Sequence, residues 1–212
     1  DEVHILDRSM RVLHTVAREN YNGFIAASDD WVFDVRSNFR TLHRSSYDGT
    51  DEAEFQLEGY HYFLFHDSSH LAAFFAPGGL LFCLIFVGGD EERDEIIALD
   101  AQTMQLRHRF GLGLFNNANQ MAVVGDELYV CDTGHHRLQV FSLTGEHRRS
   151  VTGEWRSPQY LCFAKDRLYL LEQSNREAPV QGHRIFVLSL LGDILQVVTH
   201  PTEPSARFQS IC

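Results

Sequence analysis

The feature that most constrains this chain is a segment, residues 119–153 (NQMAVVGDELYVCDTGHHRLQVFSLTGEHRRSVTG), whose order of apolar runs and turns recurs on both sides of it. Residues 120–124 form an apolar run that ends at Gly125-Asp126. Residues 127–131 alternate and stop at Asp132-Thr133-Gly134. Residues 137–143 alternate again and stop at Thr144-Gly145, and residues 147–151 close the unit. Side chains in a strand alternate between two faces, and Gly/Asp pairs supply the tight turns of hairpins. The spacing therefore predicts four short antiparallel strands.

The next unit repeats the order. DRLYLLE follows the pattern of DELYVCD, and HRIFVLSLLGD that of HRLQVFSLTGE. Its strands are expected at 160–164, 167–172, 184–190 and 194–198, with extra residues within 173–182. The unit before is expected at 70–76, 80–87, 95–100 and 104–110. This placement also accounts for the uncharged stretch 71–87 (LAAFFAPGGLLFCLIFV). A spanning helix needs roughly 20 apolar residues, and Pro77-Gly78-Gly79 would break one, so two buried strands and a turn fit better. Residues 4–16 read as the third and fourth strands of a further unit. Residues 24–27 and 31–35 open another whose remaining strands fall within 40–65, and 207–212 read as a first strand.

Four strands per unit, repeated every roughly 40 to 50 residues, describe the blades of a β-propeller. One small sheet cannot bury both faces alone, and stacking blades buries them against each other. The expectation is an all-β chain, a single propeller domain over 1–212. Its blades fall at 1–20 (partial), 21–69 (divergent), 70–111, 112–153, 154–200 and 201–212 (partial). That makes about five blade equivalents, a fragment of a longer ring.

Composition narrows the function classes. Hydrophobic residues make up 44% and charged residues 22%, the balance of a folded domain. The net charge of −11 disfavours a polyanion partner, so nucleic acid is not expected, though Arg148, Arg149 and Arg156 could form a local basic rim. The four cysteines make no CxxC pair, and the start Asp1-Glu2-Val3-His4 is not a secretory leader, which together suggest a cytoplasmic protein. His66 and His70 have an H-x3-H spacing that would need a helix to aim both at one metal, and they read as loop residues. The acidic run 88–95 lacks the ligand order of a calcium loop. No nucleophile elbow, phosphate loop or HExxH occurs.

Residues 128–141, LYVCDTGHHRLQVF, resemble the core signature of NHL repeats, approximately IYVADTGNHRIQVF. The resemblance is strong over 116–153, expanded over 155–199, one of pattern alone over 70–111, and poor over 1–69. It implies a propeller, most often six-bladed. It also implies that the turn residues Asp132, Thr133, Gly134 and Arg137 are structural and that partners bind along one rim. Here that rim would carry Phe115, Asn116, Asn117, His135, His136, Trp155 and Arg156. Trp155 reads equally as a binding anchor and as packing. His136 fills the family's usual His position and His135 replaces an Asn. As neighbours in a strand they would point to opposite faces and chelate poorly.

The reading is a non-catalytic scaffold for a protein or peptide, without metal or cofactor. The alternatives are the recognition part of a RING/B-box ubiquitin ligase or, more remotely, a zinc-dependent propeller lyase.

Overall fold

The computed structural model describes residues 2–6, 10–17, 21–28, 30–36, 39–59, 61–63, 65–66, 70–71, 73–76, 79–87, 93–172 and 184–199. The expected insertion at 173–182, the acidic loop at 88–92 and the strand at 207–212 lie outside these residues. No helix is long and apolar enough to cross a membrane among those described.

The chain divides into two compact units, Asp1–Glu92 with Ile97–Arg107, and Arg93–Ile96 with His108–Cys212. In the first, β1 (Glu2–Leu6) and β2 (Val12–Ala17) form a two-stranded antiparallel sheet. The region with the faintest repeat is a complete four-stranded meander: β3 (Tyr21–Ala27), β4 (Trp31–Arg36), β5 (Thr41–Ser46) and β6 (Glu52–Gln56), paired in chain order. β7 (His61–Phe63) pairs with a later strand. The two histidines read as loop residues are in strands. His66 ends β8 (Phe65–His66), His70 opens β9 (His70–Leu71), and the two are directly paired across a short hairpin. β10 (Ala73–Ala76) pairs antiparallel with β11 (Leu80–Val87), so the uncharged stretch is a hairpin. β12 (Arg93–Asp100) and β13 (Leu106–Phe110) continue that sheet in chain order.

The core of the first unit joins Phe33, Val35 and Leu42 to Leu81, Cys83, Ile85, Ile97 and Leu99. Two buried polar clusters sit beside it. Asp34 and His43 face each other across β4 and β5 at 3.0 Å. The Arg44 guanidinium lies 3.7 Å over the Trp31 ring and pairs with Asp51 at 2.5 Å. Packing an arginine stem and plane on an aromatic face lets its charge be buried at low cost.

The second unit holds two meanders. The first is β14 (Ala118–Val124), β15 (Glu127–Asp132), β16 (Arg137–Ser142) and β17 (His147–Thr152). The second is β18 (Pro158–Ala164), β19 (Arg167–Glu172), β20 (Ile185–Leu188) and β21 (Ile194–Val198). Each expected strand is found, with ends shifted by a few residues. Gly125 has φ +60°, which suits the first position of a two-residue hairpin loop, and the equivalent turn uses Lys165 and Asp166, both at positive φ. Apolar residues of the two sheets interdigitate: Tyr129, Leu138 and Val140 with Leu161, Leu168, Leu170, Phe186 and Leu188. Gly192 lets the β20–β21 turn approach β17, since a Cβ there would stand 2.2 Å from Val151. Arg149 donates to the Leu190 carbonyl at 3.3 Å and to Glu127 at 2.8 Å, and the Tyr129 hydroxyl lies 3.0 and 2.8 Å from the same two acceptors, with one proton to give to either.

Candidate binding site

The loops that enter β14 and β18, and the loop between β15 and β16, meet at one end of the second unit. Their geometry starts with Asp132. Its side chain is fully buried, yet it is compensated on every side. It accepts from the Asn116 backbone N–H at 2.8 Å, Arg137 Nε at 2.8 Å, Gln139 Nε2 at 3.2 Å and His135 Nδ1 at 2.9 Å. A buried carboxylate persists only when its oxygens are matched in this way. Thr133 extends the junction, donating to the Pro158 carbonyl at 2.6 Å and accepting from Asn119 Nδ2 at 2.7 Å. Gly134 donates its N–H to the Asn116 carbonyl at 2.8 Å, and a Cβ on it would stand 2.7 Å from that oxygen.

The two histidines are not on a strand. Thr133–His135 form a single 3-10 turn, and His136 follows in the left-handed region at φ 58°. The tight turn gives the imidazoles different work. His135 is exposed and leans back on Asp132, while His136 accepts the Ser157 N–H on Nδ1 at 3.1 Å. Among the described residues no group of His, Cys, Asp and Glu is arranged to hold a metal ion.

The neighbouring meander repeats the clamp. Glu172, 1% exposed, accepts from the Arg156 backbone N–H at 2.7 Å and from Arg184 Nη2 at 2.8 Å. Arg184 then donates to the Glu154 carbonyl, as Arg137 does to that of Leu114. Glu172 and Arg184 were not singled out as site residues. Their signal was the alignment of DRLYLLE with DELYVCD and of the two His-Arg pairs.

Of the rim residues, Phe115 and Trp155 are buried, at 8% and 1% exposure. They hold equivalent places, each one residue before a clamped N–H. Phe115 packs over Gly111 and against Phe141, and Trp155 over Gly153 and against Phe186. Large rings beside glycine and facing a core aromatic are packing elements, so the structure removes both from the solvent-facing set. Asn117, His135, His136 and Arg156 remain exposed. Asn117 takes φ +53°, a conformation asparagine tolerates better than most residues. The Arg156 side chain makes no hydrogen bond or ion pair with the described residues, whereas Arg137 and Arg184 in the same loops are held by carboxylates.

Residues 115–141 match the family model of the NHL repeat. The chain carries an NHL repeat. The matched segment runs from the buried Phe115 through the Asp132 clamp to Phe141, so the signature records the clamp and the strands it joins. No curated protein matches the chain. Among solved structures it is similar to a Bacteroides caccae protein of unknown function, at 13% identity and TM-score 0.60, covering 93% of this chain and 69% of that one. It is also similar to a chain of a nidogen/laminin complex, at 14% identity and TM-score 0.58, covering 82% and 61%. A third is the computationally designed Ika8 protein, at 16% identity and TM-score 0.56, covering 84% and 49%. At these identities the likeness is one of fold, and it agrees with antiparallel four-stranded blades of the β-propeller type.

Proposed function

We propose that this chain is a non-catalytic scaffold that engages a protein or peptide partner through the loop end of the second unit, with Arg156, His135, His136 and Asn117 as the contacting residues. The NHL repeat and the propeller-type neighbours support an interaction scaffold in general. The observation that carries the specific reading is the contrast within one set of loops. Their backbones are locked by two buried carboxylates, while Arg156 projects a guanidinium that none of the described residues holds. A rigid frame with an unspent, exposed arginine suits recognition, because little ordering is needed on binding and arginine is a frequent anchor of interfaces.

The test is a selection of random displayed peptides on the folded chain, followed by titration of the enriched peptide. Arg156→Glu is expected to weaken it at least about tenfold, one desolvated charge contact, with an unchanged melting midpoint. Failure to enrich any peptide, or equal binding by Arg156→Glu and His135→Ala, would reject this rim as the site.

A further inference from the structure

The two rim histidines are neighbours in sequence, yet their protons are fixed on opposite ring nitrogens. A backbone N–H can only donate, so the Ser157 N–H requires a lone pair on His136 Nδ1, 3.1 Å away. The proton of His136 is therefore on Nε2. A carboxylate can only accept, so His135 Nδ1, 2.9 Å from Asp132, carries a proton. In the neutral His135 ring, Nε2 then keeps a lone pair. Both residues are exposed. His136 is also set beside Arg156. The N–H that fixes its ring belongs to the next residue, and the Arg156 N–H is itself clamped on Glu172 at 2.7 Å. The other two arginines of these loops are already neutralised, Arg137 on Asp132 and Arg184 on Glu172.

Resting on the reading of this rim as a peptide site, we propose that it reads a carboxylate of the partner peptide. Arg156 supplies the charge and the His136 Nε2–H a second, directed donor. Charge sets the class of ligand. One guanidinium and one neutral N–H suit a monoanion with two oxygens, the group that the planar arginine fork fits. A phosphate dianion would bring a charge that no second cation answers. It would do so on a chain of net charge −11, with Glu154 exposed in the same loop. A cationic side chain would meet Arg156 as a like charge. His135 adds direction. Its Nε2 lone pair turns a carboxylate oxygen away and accepts an N–H, such as that of the peptide backbone beside the acid.

Three synthetic peptide libraries, presented to the folded chain, test this. The first contains Asp and Glu and has amidated C-termini. The second has Asn and Gln in their place, and the third is the second with free C-termini. Enrichment from the first is expected for a side-chain carboxylate, and from the third for a terminal one. The enriched peptide should bind at least about tenfold more tightly than its acid-to-amide counterpart. His136→Asn should cut that preference about fivefold, one hydrogen bond to a charged group. Asparagine suits the φ of 58° at this position and keeps an oxygen for the Ser157 N–H, but places no donor where Nε2 stood. Should this variant melt earlier, the Nε2–H resonance of wild-type His136 serves instead. It should shift on adding the acidic peptide and stay in place with the amide one. Binding that Arg156→Glu weakens but the acid-to-amide swap does not would overturn the carboxylate and leave the rim reading standing. A His136 protonated on Nδ1 in nitrogen spectra overturns it as well. If no library is enriched, or Arg156→Glu changes nothing, the carboxylate and the rim fall together.

Discussion

Asp132 and Glu172 stand at the same point of successive sheets and perform the same task with side chains that differ by one methylene. Each ends the second strand of its meander. Each takes the backbone N–H of the residue after a buried aromatic, Asn116 at 2.8 Å and Arg156 at 2.7 Å. Each also pairs with an arginine at the entry to the third strand, Arg137 as its first residue or Arg184 just before it. Asp132→Ala removes the acceptor for Asn116, Gln139 and Arg137 together. It should lower unfolding free energy by about 2–4 kcal/mol, the cost of orphaning buried donors. Arg137→Ala should cost less, because the carboxylate keeps its other donors and Arg137 is itself half-buried. Urea titrations of the two variants check the order. A loss below about 0.5 kcal/mol for Asp132→Ala, the usual range of an exposed surface change, would show that the clamp is not structural.

The glycines of the second unit separate two reasons for being glycine. At Gly134 a Cβ would meet the Asn116 backbone oxygen at 2.7 Å, whereas at Gly125, φ +60°, nothing lies within 4 Å. Gly125→Ala should therefore cost only the left-handed backbone penalty, roughly 1–2 kcal/mol. Gly134→Ala must push two loops apart and should cost more, on the order of 3 kcal/mol, at the upper end for overpacking. Equal melting midpoints for the two variants would refute the close approach.

How much of this was legible follows from what each signal encodes. The hairpins of the second unit were readable because Gly125-Asp126 and Thr144-Gly145 mark turns and the intervening residues alternate. The sheet of β3–β6 was only half readable: Asp34, His43 and Arg44 are buried there, and polar residues at core positions erase the alternation a reader looks for. The clamp was visible as a conspicuous D-x-G-x-H-R run, but its partners were not. A backbone N–H such as that of Asn116 leaves no trace in residue type. Trp155 was ambiguous because a loop tryptophan is the same letter whether it faces solvent or Phe186. The histidine pair went astray for a local reason, since Thr133–His135 turn instead of extending, and alternation does not apply to a 3-10 turn.

Trp155 and Arg156 are adjacent in sequence and opposite in role. Trp155→Ala deletes a ring packed on Gly153 and Phe186 and should cost about 3–5 kcal/mol, the range for a buried aromatic. Arg156→Ala should leave the melting midpoint unchanged, because its side chain holds none of the described residues while its N–H still reaches Glu172. Differential scanning calorimetry separates them. A cooperative melt unchanged in Trp155→Ala would return that residue to the binding surface.

Asp94 provides a pH-dependent reading of the same loops. It is 8% exposed and accepts the Ala118 N–H at 2.6 Å. Burial raises its pKa above the ordinary 3.8, the hydrogen bond to Ala118 opposes that rise, and the negative charge of Asp132 adds to it. A carboxylate whose folded pKa is raised binds its proton more tightly in the native state than in the unfolded chain. Its contribution is therefore most favourable below 3.8, and it declines as pH climbs from 3.8 through the folded value. At neutral pH the charged form is a net liability. Asp94→Asn keeps an oxygen for Ala118 and loses the charge, so it should raise stability at pH 7. Relative to wild type, that gain should shrink as pH falls towards 3.8, where the wild-type carboxyl is itself protonated in the fold. Thermal melts of both proteins from pH 7 to pH 4 measure the difference. A variant less stable than wild type at pH 7, or a difference that does not change with pH, would mean that Asp94 is stabilised as an anion by the positive ends of its neighbours instead of strained by burial.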